Sequence, residues 1–165
     1  MEVLSEHLKM TQISLENESL FYSLHTDPAV ISLCFDEPSS SELNEKFQSR
    51  LKPWSPESND WLCLVISEQS TGENVGITGF CFQGKTAEVG FMLLPRHQGL
   101  GYATESLIAL LEYSRLHLGI NDYSAVVTEG NVASERVLIK SGFTLINVIP
   151  EAYEISGKLY ADHVY

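Results

Sequence analysis

Cysteine is scarce in this 165-residue chain. Cys34, Cys63 and Cys81 are an odd number and show no C-x-x-C spacing. That leaves no disulfide framework and no C-x-x-C redox or zinc motif, and it suits reduced core thiols in a cytoplasmic protein. The five histidines are scattered without an H-x-x-x-H pair, so no metal site is expected. No apolar run approaches the roughly 20 residues needed to span a bilayer. The start, Met1-Glu2-Val3-Leu4-Ser5-Glu6, lacks the basic and apolar segments of a secretory signal. Positive charge is also short: ten Lys and Arg stand against 22 Asp and Glu, for a net charge of -12. That argues against sequence-independent binding to nucleic acid, which depends on Lys and Arg. It is compatible with a cationic acceptor drawn in by the field of the protein, or with solubility alone. Repeats and low-complexity linkers are absent. The remainder, 44% hydrophobic and 19% charged, is the balance of one ordinary globular domain over residues 1–165.

The pattern of apolar residues predicts the elements. Leu8 to Ile13 alternates as a half-buried strand does. Leu15 to Leu33 has helical spacing broken at Asp27-Pro28, which predicts two short helices. Pro38 to Glu42 reads as a loop ending in a helix N-cap, with the helix running on through Leu43 to Leu51. Strands are predicted at Trp61 to Ser67, Asn74 to Gln83 and Thr86 to Leu94, joined by turns at Thr71-Gly72-Glu73-Asn74 and Gln83-Gly84-Lys85. Pro95 stops the last of these. Ala103 to Leu118 reads as a long amphipathic helix closed by Gly119. Tyr123 to Thr128 is a further strand, Val132 to Ser141 a helix ended by Gly142, and Phe143 to Ile149 and Lys158 to Tyr165 the final strands. An antiparallel meander followed by alternating strands and helices implies a mixed sheet with helices on its faces.

Between the strand ending at Leu94 and the long helix lies Arg96-His97-Gln98-Gly99-Leu100-Gly101-Tyr102-Ala103. A strand-to-helix junction leaves the first N–H groups of the helix unpaired, and the helix dipole adds about half a positive charge there. A phosphate fits such a place without a lysine, and two glycines let the backbone come close to it. A P-loop would require Gly-Lys-Ser/Thr where Gly101-Tyr102-Ala103-Thr104 stands. A dinucleotide fold would require a third glycine near Thr104 and a parallel β-α-β setting. Taken alone, the turn is an anion-binding helix start or simply a tight connection.

A second motif follows: Asn131-Val132-Ala133-Ser134, then a short helix and Gly142-Phe143. Together, Arg96-x-x-Gly99-x-Gly101 and Asn131-x-x-Ser134…Gly142-Phe143 resemble the GNAT (GCN5-related) N-acetyltransferases. Glu6-x-Leu8-x-Met10, Asp27-Pro28-x-Val30, and Gly157, Asp162 and Tyr165 resemble features of their branch of Rim-type ribosomal-protein N-terminal acetyltransferases. The resemblance covers nearly the whole chain. It implies an α/β (α+β) GNAT fold, a mixed and mostly antiparallel central sheet of about six to seven strands flanked by helices. That sheet would be splayed between the fourth strand, Thr86–Leu94, and the fifth, Tyr123–Thr128.

The resemblance also implies roles. Acetyl-CoA would be the co-substrate, with no metal. Its pantetheine would lie along Phe91, Met92 and Leu93, and a backbone N–H near Leu93 would stabilise the thioester oxyanion. Arg96, His97, Gln98, Gly99, Leu100, Gly101, Tyr102, Ala103 and Thr104 would hold the phosphates, and Asn131 and Ser134 the cofactor arm or acyl region. Relatives often place a thiolate-protonating tyrosine where this chain has Leu138, which leaves Ser134 as the acid candidate, against a purely local role for its hydroxyl. Glu88 is the base candidate; Glu154, a further catalytic candidate, and Tyr153 stand where relatives contribute acceptor-site groups, and surface positions are the plain alternative for all three. Trp54 and Trp61 are candidates for the acceptor cleft, with core packing as the alternative for Trp61. The acceptor expected is an amine, foremost a protein or peptide N-terminus such as a basic ribosomal-protein tail. Polyamine or antibiotic amines, and a non-catalytic coenzyme A-binding role, are the alternatives. A monomer or homodimer, without nucleic acid or membrane partners, completes the expectation.

Overall fold

The computed structural model describes every residue from Met1 to Tyr165. The chain opens with a short hairpin, β1 (Glu2–Leu4) and β2 (Leu8–Gln12), and a 3-10 turn at Leu15–Asn17. Helices α1 (Glu18–Thr26), α2 (Pro28–Ile31) and α3 (Ser40–Leu51) follow, then the meander β3 (Leu62–Glu68), β4 (Asn74–Gln83) and β5 (Thr86–Leu93). Next come α4 (Tyr102–Leu118), β6 (Tyr123–Ser124), β7 (Val126–Thr128), α5 (Val132–Lys140), β8 (Asn147–Ile155) and β9 (Lys158–Val164). No helix is long and apolar enough to cross a membrane.

The strands form a six-stranded sheet in the order β1-β2-β3-β4-β5-β6 and a three-stranded sheet in the order β7-β9-β8. All pairs are antiparallel except β5 with β6. Alternation sorts the side chains of the meander. Leu62, Leu64, Ile66, Phe80, Ala87, Val89 and Leu93 pack with Leu107 and Leu110 of α4 in the larger core. The opposite face carries Cys63, Val65 and Ile77, which pack with Phe21, Leu24, Leu43 and Phe47 of α1 and α3. Each large side chain fully buried there contributes roughly 1.5–3 kcal/mol.

The helix ends have local causes. Asp27 ends α1 and accepts the Ala29 N–H at 2.9 Å, while Pro28 opens α2 at a position that needs no N–H donor. Ser39 caps α3 by accepting from the Glu42 N–H at 3.2 Å. Gly119 closes α4 at φ 68°, a conformation that costs glycine little.

Three expectations need correction. The β1 strand was not expected, because three residues are too few to show a period. The single strand expected over Tyr123–Thr128 is two: β6 pairs with β5, β7 joins the other sheet, and Ala125 between them exchanges both backbone bonds with Tyr165. The strand expected over Phe143–Ile149 begins only at Asn147 and runs on to Ile155. There Pro150, which has no N–H to donate, and the positive φ of Glu151 (49°) break the register between Ile149 and Tyr153.

Candidate active site

β5 and β6 are bonded in parallel at only two positions, Ala87 with Tyr123 and Glu88 with Ser124. Beyond them the strands diverge, and β7 leaves for the second sheet. The Ala87 N–H bonds to Asp122 on the β6 side, and the Leu94 N–H bonds to Val75 on the β4 side. Successive residues of a strand alternate in hydrogen-bonding direction, so Phe91 and Leu93 point their backbone groups into the gap. The Gln98 side chain donates to the Leu93 carbonyl from that direction at 3.1 Å.

The gap opens into a cleft of about 440 Å³. One wall is Phe91, Met92 and Leu93, and another is the glycine turn with Gln98, Gly99, Gly101, Tyr102, Ala103 and Thr104. The N-terminal end of α5 supplies Asn131 and Ser134. Gly99 and Gly101 both take the left-handed conformation, at φ 77° and 81°, and no side chain caps α4. The first N–H of this helix to find a backbone partner is that of Glu105, which bonds to Gly101. The six preceding N–H groups, Gly99 to Thr104, are left without protein acceptors and curl around the turn. Such a nest at a helix start is a place for a phosphate or pyrophosphate.

Asn131 is the N-cap of α5, its Oδ1 accepting the Ser134 N–H at 3.4 Å. The Ser134 hydroxyl has no protein partner. Since no buried side-chain N or O atom lacks a partner, that hydroxyl is open to the cleft. Leu138 is fully buried in the larger core and does not line the cleft.

Several expected residues lie elsewhere. Arg96 turns away and donates to Glu73 at 2.6 Å from Nη2, and His97 is buried with Nε2 3.3 Å from the same carboxylate. Arg96 and His97 hold the Glu73 carboxyl below its usual range through those hydrogen bonds. Leu100 is exposed between the two glycines. Tyr153 and Glu154 are exposed residues of β8, opposite Tyr160 and Leu159, and do not reach the cleft. Glu88 is half-buried at the last β5–β6 pair, on the same face as Gly90 and Met92; burial, then Asp162, pushes its carboxyl up. It is three residues from Phe91, about 10 Å along the strand, a distance that water can bridge and a direct hydrogen bond cannot. Trp54 packs on Phe80 on the α4 side, while Trp61 lies on the α1–α3 side over Gly90.

The cleft also contains residues outside the sequence expectation. Ala133, Arg136, Val137 and Lys140 form one stripe of α5 at helical spacing, and Ala29, Val30 and Cys34 close the far side. The α5 stripe was legible as an i, i+3, i+4, i+7 pattern after Asn131; Ala29, Val30 and Cys34 carry no such signal. Arg136 and Lys140 bring positive charge to the same cleft as the unpaired N–H groups.

The chain thus has a mixed sheet opened between β5 and β7, with a nest of unpaired amide donors at the mouth of the opening. The comparisons with known proteins fix the family. Residues 7–144 match the model of the acetyltransferase (GNAT) domain, and the chain belongs to that family of acyltransferase enzymes. It is similar to the uncharacterized N-acetyltransferase YoaA of Bacillus subtilis (strain 168), 32% identical over 103 residues, which are 61% of this chain and 58% of that protein. The fold is that of spermidine N-acetyltransferase from Vibrio cholerae, solved with CoA and spermine (19% identity, TM-score 0.82, 97% of this chain and 94% of that one). It is also that of RimL, a ribosomal L7/L12 alpha-N-protein acetyltransferase solved with coenzyme A (21% identity, TM-score 0.81, 100% and 96%).

Proposed function

We propose that this chain is an acetyl-CoA-dependent N-acetyltransferase that moves the acetyl group directly from the thioester to a primary amine, the N-terminal α-amine of a protein or peptide. The observation that carries the reading is the set of six successive unpaired N–H groups, Gly99 to Thr104, beside the open edge of β5. The pyrophosphate of the donor accepts from those N–H groups, with Arg136 and Lys140 nearby. The pantetheine arm takes the place of the missing strand against Phe91 and Leu93. The Leu93 N–H is then a preorganised donor to the oxyanion that forms when the amine attacks; removing a comparable donor costs ~3–4 kcal/mol. The Ser134 hydroxyl, unpartnered and facing the cleft, protonates the departing thiolate directly or through water. Glu88 receives the proton of the amine through water. An α-amine, with a pKa of about 8 against about 10.4 for lysine, needs only weak assistance of this kind.

The reading is tested by following thiol release from acetyl-CoA with N-terminal peptides, polyamines and aminoglycosides as acceptors. Turnover with peptides that is lost in Ser134→Ala is expected. Tight binding of coenzyme A with no amine acetylated would leave a coenzyme A-binding domain and sink the enzyme reading. Acetylation of polyamines alone would move the acceptor to the class named by the Vibrio cholerae structure.

A further inference from the structure

Two cations on α3 form no salt bridge. Lys46 and Arg50 stand one turn apart on the same side of the helix, and both are half-buried. Neither takes part in any ion pair, although the protein carries 22 carboxylates and a net charge of -12. The acidic residues around them are engaged elsewhere: Glu42 accepts from the Ser39 hydroxyl at 2.9 Å, and Asp60 meets Lys52 at 4.0 Å. The single hydrogen bond of Arg50 goes to the Ser49 hydroxyl at 3.1 Å. His25 lies close by, but burial lowers its pKa to about 4, so it is neutral near pH 7. Like charges four residues apart destabilise a helix, and half-burying an unpaired charge adds to the cost. Aromatic rings offset part of it: the Lys46 ammonium is 5.0 Å from the Phe35 ring and the Arg50 guanidinium 5.7 Å from the Trp61 ring. Those contacts leave N–H donors of both groups free.

The rings also place the pair. Phe35 follows Cys34, which lines the cleft. A Cβ at Gly90 would be 3.3 Å from Trp61, so the indole lies on the strand one residue before Phe91, another cleft residue. Lys46 and Arg50 therefore stand on the α1–α3 face of the sheet, the face that carries Glu88, next to residues that border the cleft rather than among those that line it.

We infer that Lys46 and Arg50 form a carboxylate-binding subsite for the acceptor, and that the preferred acceptor is a peptide with an acidic side chain close behind its N-terminal amine. Arginine offers a carboxylate two parallel donors, and the lysine adds a mobile point charge. The subsite favours an acidic peptide over a polycation, whose ammonium groups would meet like charge there. This inference rests on the N-acetyltransferase reading for the direction in which the acceptor lies, and binding can be measured apart from turnover.

The test uses the whole protein saturated with coenzyme A and three dye-labelled, C-terminally amidated peptides: Ser-Asp-Glu-Ala, Ser-Asn-Gln-Ala and Ser-Lys-Lys-Ala. Fluorescence anisotropy reads their affinities, and thiol release from acetyl-CoA reads turnover separately. The acidic peptide should bind at least about tenfold tighter than its amide counterpart, the scale of one charge-assisted contact. Arg50→Gln and Lys46→Gln should each remove most of that advantage while leaving the protein folded and its coenzyme A affinity unchanged. Equal binding of the acidic and amide peptides, tightest binding of the lysine peptide, or an advantage that survives in both variants would overturn the subsite. Acidic preference in binding without acetylation of any peptide supports the subsite and sinks the peptide-acceptor reading. Acetylation without acidic preference does the reverse.

Discussion

His25 makes the folded protein sensitive to acid in a calculable way. Its ring stacks on Phe21, with centroids 4.1 Å apart, and faces Phe35 at 5.7 Å. Nδ1 is 2.7 Å from the Phe21 carbonyl. Burial, which disfavours the imidazolium, lowers the pKa from 6.5 to about 4 against the opposing pull of that carbonyl. The unfolded chain takes up the proton near pH 6.5, and the folded protein does not until about pH 4. Within that window the unfolded state holds more protons, so stability falls as pH falls. The contribution is fully present above pH 6.5 and declines by about 1.4 kcal/mol per pH unit below it. At pH 5 the loss is about 2 kcal/mol, and at pH 4 about 3 kcal/mol. Urea unfolding at pH 7.5, 6.5, 5.5 and 5.0 would measure it, with His25→Phe keeping an aromatic ring in the stack and removing the titration. The wild-type stability should decline relative to the variant by about 2 kcal/mol between pH 7.5 and 5.0. A difference that stays flat with pH would refute the reasoning, because the imidazole would then titrate in the fold as it does in water.

Further outcomes are expected for other variants. Gly101→Ala meets nothing within 4 Å of its new Cβ but must hold φ near 81°, so it should cost about 1–2 kcal/mol in thermal stability and weaken coenzyme A binding; Gly72→Ala, at φ 74° and equally open, should cost similar stability without touching that binding. Ser134→Ala should lower kcat by about a hundredfold with little change in the KM for acetyl-CoA, and Glu88→Gln should abolish an acid limb of kcat/KM that lies above the ordinary carboxylate range, where burial and Asp162 put it. Leu138→Tyr should lose about 1–3 kcal/mol by overpacking a fully buried site, visible as a lower melting temperature; a gain in activity at unchanged stability would contradict the placement of Leu138 in the core.

Much of this architecture is legible in the sequence because its elements are bounded by strong local chemistry. Asn74 to Gln83 is flanked by two glycine turns and has the boundaries read from the sequence. Asp27-Pro28 divides α1 from α2 where the missing N–H requires a break. The glycine turn and Asn131, both picked out by their local motifs, line one cleft. What was not legible depends on contacts between distant residues. Tyr123 to Thr128 reads as one strand because nothing local shows that Ala125 will pair with Tyr165 and transfer the chain to a second sheet. Arg96 and His97 look like phosphate ligands in a turn of that composition. Only the fold brings Glu73, from the turn before β4, within reach of both. Lys46 and Arg50 carry no local signal in the sequence; only the fold sets them over Phe35 and Trp61.

The passage of the chain from one sheet to the other at Ala125 should divide the molecule into two hydrogen-exchange units. The backbone ladders stop at this seam, with β6 on one side and β7, β9 and β8 on the other. Segments joined mainly by side-chain packing open independently and below the global unfolding free energy. The β7–β9–β8 amides should therefore exchange as a group, faster than those of β3 and β4. A donor held in the cleft would touch β5 on one side and α5, which follows β7, on the other, so that opening either unit would require its release. At a ligand concentration a hundred times Kd that coupling adds about 2.7 kcal/mol to the cost of opening. Binding would then appear as slowed exchange in a hairpin at the far side of the second sheet, making β8 and β9 a remote reporter of whether the cleft is occupied.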